Sequence, residues 1–132
     1  MIRRQFFAAV LGIAALSAVA LPAAAREPVP FTRAAFEQAQ AAGKPILVDI
    51  YAPWCPVCRA QEPTIDAVSA QPANSDLIVF RVDFDNQKSE VRSFRAQRQS
   101  TLIAYRGTTE VGRSVGDTNR ASITALINAT QR

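Results

Sequence analysis

Histidine is absent from this 132-residue chain, cysteine occurs twice, and the single methionine is the initiator. A metal centre built from one copy would therefore be short of donors. Two thiolates are half of a tetrahedral set, and a second chain or an external thiol would have to complete it. Net charge is small too. Fifteen basic against eleven acidic side chains leave +4, and discounting Arg3 and Arg4 reduces residues 26–132 to thirteen against eleven, or +2. So mild a balance argues against nucleic acid as the partner. No repeat or low-complexity stretch interrupts the chain. The apolar run from Phe6 to Leu21 is sixteen residues, short of the roughly 20 needed to cross a bilayer.

That run is instead read as an address. Met1-Ile2-Arg3-Arg4-Gln5 is positive, the apolar run follows, and Pro22-Ala23-Ala24-Ala25 supplies small residues for a signal peptidase. Residues 1–25 are expected to be a secretory signal cleaved after Ala25, with retention as an uncleaved anchor as the rival. Arg3-Arg4-Gln5-Phe6-Phe7 also has the form of a twin-arginine signal, or of an ordinary Sec n-region with two arginines. By either route the protein is expected in the bacterial envelope, in the periplasm. That compartment is oxidising, so a two-cysteine protein there makes disulfides or is supplied with electrons to break them.

The two cysteines sit together as Trp54-Cys55-Pro56-Val57-Cys58, behind the apolar run Ile46-Leu47-Val48-Asp49-Ile50-Tyr51. A strand that delivers C-x-x-C to a helix N-terminus makes a thiol switch. Unpaired N–H groups and the positive dipole end favour a thiolate on the first cysteine, and the second lies about one turn on. Pro56 suits the first helical position, where its missing N–H costs nothing. A structural disulfide is the weaker reading. A four-residue loop would gain only about 2 kcal/mol from chain entropy, against about 3 for a fifteen-residue loop.

Residues 26–132 suffice for one domain. Thr32 reads as a helix N-cap with Phe31 and Phe36 as a hydrophobic staple, and the helix stops at Gly43. Strands are expected at residues 46–51 and 77–83. A helix is expected from Cys55 to about Ala70, kinked by Pro63, and a shorter one over residues 87–95. Residues 101–105 and 110–114 flank a turn with Gly107 and read as a hairpin. Asn119 caps a last helix in which Ile123, Leu126 and Ile127 share a face. This order predicts an α/β fold, a three-layer α/β/α sandwich around a central mixed sheet.

Strand, W-C-x-x-C and this element order together resemble the thioredoxin superfamily over nearly all of residues 30–130. Asp49, Pro63, Arg81 and Gly116 match the family's buried aspartate, helix kink, nearby basic residue and last-strand glycine. Two departures stand out. Pro56-Val57 replaces the Gly-Pro of thioredoxin proper, and Ser100 occupies the position of the cis-proline before Thr101. A cis bond before serine costs roughly 3–4 kcal/mol, so a trans Gln99–Ser100 bond and a reshaped loop are expected. Serine also removes the guard that proline gives the sulfurs against metals.

The resemblance implies a protein-disulfide oxidoreductase that uses no cofactor beyond its Cys55–Cys58 disulfide. Cys55 would be the exposed nucleophile and Cys58 the resolving thiol. Asp49 would serve as proton acceptor, unless it is merely ion-paired with Arg81. Trp54, Pro56, Val57, Ser100 and Thr101 would form the substrate surface. The strongest oxidants of the superfamily hold a histidine where Val57 stands; its absence favours the reducing direction. Expected partners are protein thiols and disulfides and an inner-membrane electron donor or acceptor, with the chain a monomer. Arg92, Arg95, Arg98 and Arg106 form a solvated face or steer an acidic partner. The rival function is a metal- or cluster-binding module that shares Cys55 and Cys58 across a dimer.

Overall fold

A computed structural model describes residues 26–132; the expected signal at 1–25 lies outside the described residues. The sheet has five strands in the order β1-β3-β2-β4-β5. They are β1 (Val29–Pro30), β2 (Pro45–Tyr51), β3 (Ile78–Asp83), β4 (Thr101–Arg106) and β5 (Thr109–Val115). β2 is central, parallel to β3 and antiparallel to β4, and β4 and β5 form the expected hairpin. The helices are α1 (Arg33–Ala41), α2 (Pro56–Ser69), α3 (Lys88–Ser93) and α4 (Arg120–Asn128). The architecture is the mixed-sheet α/β sandwich expected. No helix among the described residues is long and apolar enough to cross a membrane.

Alternation along β2 assigns its side chains to two cores. Ile46, Val48 and Ile50 pack with Phe31, Phe36, Phe80 and Phe94 under α1 and α3. Leu47 packs with Val79, Leu102, Ile65, Val68, Ile123 and Ile127 under α2 and α4. Asp49 shares the parity of Leu47, which directs it towards the cysteine-bearing helix. The staple is present, with the Phe31 and Phe36 rings 5.5 Å apart, and Thr32 accepts from the Ala35 N–H at 3.2 Å.

Two local expectations change. The short polar, Pro-bearing stretch from Arg26 to Pro30, expected as a mere lead-in, contributes β1, a two-residue edge strand parallel to β3; Pro30 is tolerated there because an edge needs no donor on its open side. α3 ends at Ser93, since Arg95 adopts a left-handed φ of 54°. Arg92 and Arg95 therefore do not share a helical face.

Candidate active site

Cys55 is the N-cap of α2. Its extended backbone (φ −85°, ψ 110°) turns Sγ back over the first turn, where it accepts the Cys58 N–H at 3.1 Å. Pro56 occupies the first turn as expected. Both cysteines are free thiols. The expected exposure of Cys55 is not found: it is 0 % exposed and Cys58 1 %. The sulfur is enclosed by the fold. There it packs with Ala52, Tyr51, Val57 and Phe84.

Burial pushes the Cys58 thiol up to about 12, helped by its hydrogen bond to Cys55 and opposed by one involving the Ala52 backbone. The charge of Asp49 acts in the same direction as burial. Cys58 is thus held protonated and needs an acceptor before it can attack anything.

Asp49 is 1 % exposed. Its Oδ2 accepts from Arg81 Nε and Nη2, each at 3.3 Å, while Oδ1 has no partner. Both readings of Asp49 thus meet in one residue, an ion pair on one oxygen and an unoccupied acceptor on the other. Burial outweighs the guanidinium and raises its carboxyl from 3.8 to about 6. Arg81 is shared. Its Nη2 also meets Glu62 Oε1 at 3.2 Å, and its guanidinium lies 3.8 Å from the centroid of the Tyr51 ring. Arg81 lines two grooves, one of about 480 Å³ with Tyr51 and Pro53, the other of about 290 Å³ with Glu62 and Asp66. The buried carboxylate is therefore one side chain away from solvent.

Trp54 is 54 % exposed beside Cys55. Its indole N–H donates to Asp85 Oδ2 at 2.8 Å and its ring meets Phe84 edge-on at 6.4 Å. Pro56 is exposed and Val57 half-buried, so these three form the rim of the thiol pair.

Ser100 follows a trans bond and sits in the left-handed region at φ 59°. Ser100 and Thr101 are each 1 % exposed. The Ser100 N–H donates to the Ile50 carbonyl at 2.8 Å, and its carbonyl accepts from Gly116 N–H at 2.9 Å. Its hydroxyl donates to the Gln99 carbonyl at 2.5 Å, and Thr101 Oγ1 donates to the Arg98 carbonyl at 2.8 Å. Ser100, expected on the substrate surface, thus has its backbone N–H and carbonyl bonded within the fold.

Gln61, Glu62, Tyr51 and Asp85 also belong to this site and were not singled out from sequence. Gln61 left a signal, a polar residue on the inward stripe Cys58-Gln61-Ile65-Val68 of α2. Asp85 left none, because its pairing with Trp54 spans 31 positions. Among the described residues, no group of three or more His, Cys, Asp or Glu is gathered that could hold a metal ion.

A family model described as Thioredoxin matches residues 27–129. The thioredoxin of Mycobacterium tuberculosis strain H37Rv is 32% identical over 80 residues, 61% of this chain and 68% of that protein. That of Echinococcus granulosus is 32% identical over 95 residues, 72% of this chain and 86% of its own. The crystal structure of Trxlp from Edwardsiella tarda EIB202 is 51% identical, with a TM-score of 0.72, covering 74% of this chain and 95% of that one.

Proposed function

The chain belongs to the thioredoxin family and is a thiol–disulfide oxidoreductase; from that premise we propose that it reduces protein disulfides in the bacterial envelope. The observation that carries the proposal is a buried thiol, Cys58, that feels the charge of a buried carboxylate, Asp49, with one oxygen free. A thiolate on Cys55 attacks one sulfur of a client disulfide. The client S–S bond breaks, one client thiolate leaves, and a mixed disulfide joins Cys55 to the client. Cys58 then passes its proton to Asp49 and attacks Cys55 Sγ. The bond between Cys55 and the client breaks, the second client sulfur leaves as a thiolate, and Asp49 releases the proton it took to solvent or to that thiolate. Two electrons pass to the client, and the chain is left with a Cys55–Cys58 disulfide for an inner-membrane dithiol donor to reduce.

Because Cys55 is covered, a client sulfur reaches it only by displacing the side chains around it. Trp54, Pro56 and Val57 are the rim it crosses. Direction follows from charge. Val57 offers no cation to hold the Cys55 thiolate, and ionised Asp49 lies behind the pair. Both disfavour the dithiolate and lower the potential. The potential is measured by equilibration with glutathione and dithiothreitol buffers. A value near that of thioredoxin, about −270 mV, is expected, and one above about −180 mV overturns the reducing direction. Export is tested separately, by fractionation and by sequencing the N-terminus of the mature protein. Arg26 is expected as its first residue, by Sec or the twin-arginine route. A full-length cytoplasmic protein overturns the setting without touching the chemistry.

A further inference from the structure

Gln61 is fully buried on α2, one turn beyond Cys58. Its Nε2 donates to two backbone carbonyls, Asp117 at 2.8 Å and Ser100 at 3.3 Å. Both partners are oxygens, so the amide can face them only with its NH₂ end. Its Oε1 is left without a partner. A buried amide with one end unmet is costly, and leucine or methionine would fill the space at no such cost. The two bonds it does make join three segments. One is the helix that carries the cysteines. The second is the Ser100 turn. The third is the loop in which Asp117 accepts from the Asn119 N–H at 2.8 Å and from the Ser122 hydroxyl at the start of α4.

The turn at Ser100 needs holding. Its φ of 59° is a conformation that non-glycine residues rarely adopt. It lies directly beside the motif, since Ser100 N–H bonds Ile50 and β2 runs from there through Tyr51 into the cysteine turn. We infer that Gln61 is a positioning residue for disulfide exchange: it clamps the left-handed Ser100 turn to the cysteine-bearing helix and so fixes, from beneath, the rim of Trp54, Pro56 and Val57 that a protein disulfide must cross. Gln61 touches no reacting atom. It acts on how a large client seats against the thiol pair, not on the sulfur chemistry itself. The inference rests on the reading that the protein reduces protein disulfides.

The test compares two substrates, insulin as a protein disulfide and a small aromatic disulfide that needs no seating surface, with a small dithiol as electron source. Gln61→Met keeps length and volume and removes both donors. It should raise KM for insulin about fivefold or more, change kcat by less than about twofold, and leave the small-disulfide rate unaltered. Glycine adopts the left-handed turn without strain, so in a Ser100→Gly background the same substitution should raise KM by about twofold or less. Equal losses on both substrates, or the same rise in KM in both backgrounds, overturns the inference. Should Gln61→Met not fold, the wild-type protein still decides. The Gln61 side-chain amide protons should exchange about tenfold or more slowly than those of exposed Gln38 and Gln97, and equal rates overturn the clamp. Wild-type protein that leaves insulin oxidised sinks the reading of function. Active wild type with an unchanged Gln61→Met sinks only the clamp.

Discussion

Replacing Asp49 by asparagine should make the protein more stable at pH 8 while leaving it nearly unchanged at pH 4. The native carboxyl titrates at about 6, against 3.8 for the ordinary group. A raised value means that the folded state binds the proton more tightly than the unfolded one. Asp49 therefore costs nothing while protonated in both states, and its cost grows as pH rises through the window from about 4 to about 6. The gap converts at about 1.4 kcal/mol per pH unit to about 3 kcal/mol of stability given up above pH 6. Asparagine is neutral at every pH and has the shape of the protonated acid, so it recovers that amount only where aspartate is ionised. Arg81 keeps Glu62 and the Tyr51 ring, so it is not stranded. Asp83, Glu110 and Asp117 are lowered and Asp66 is raised. Their contributions cancel when the variant is compared with wild type at the same pH. Cys58 is protonated throughout in the folded state. Urea unfolding of both proteins with reduced thiols, at pH 4 and pH 8, measures the effect. A stabilisation of the same size at both values, or a less stable variant at pH 8, would refute burial as the origin of the raised carboxyl. The same variant should slow the resolving step near neutral pH, since Cys58 loses its acceptor.

Other outcomes follow from the same geometry. Ser100→Pro should destabilise the fold by about 2 kcal/mol or more, read from urea midpoints, because proline cannot adopt the left-handed φ and deletes the N–H that bonds Ile50; an unchanged midpoint contradicts the turn described. Trp54→Ala should lower kcat/KM for insulin about fivefold, or about 1 kcal/mol, and equal activity would remove the indole from the client surface. Gly112→Ala should cost about 1 kcal/mol in thermal unfolding, since its Cβ would lie 2.8 Å from Leu126 Cδ1 of α4; a neutral result would mean that this methyl group swings aside freely.

The reach of sequence reasoning followed the range of the interactions. A strand that ends in W-C-x-x-C, a proline at the first helical turn, caps at Thr32 and Asn119 and a hairpin around Gly107 are all written within a few neighbouring residues. Local sterics and capping therefore made them legible, and with them the fold and the redox pair. The inward setting of Asp49 was legible only through the family resemblance, because an apolar run covered on both faces marks neither of them. Tertiary structure decided the rest. Only the wrapping of Ala52, Val57 and Phe84 around the motif covers Cys55. Only the parallel register of β2 and β3 sets Asp49 beside Arg81, and only the packing of α2 brings Glu62 to share that guanidinium. The left-handed turn at Ser100 is held by partners from Ile50, Gln61 and Gly116. Such groups are far apart in the chain, and their energies depend on burial, which no run of residues encodes by itself.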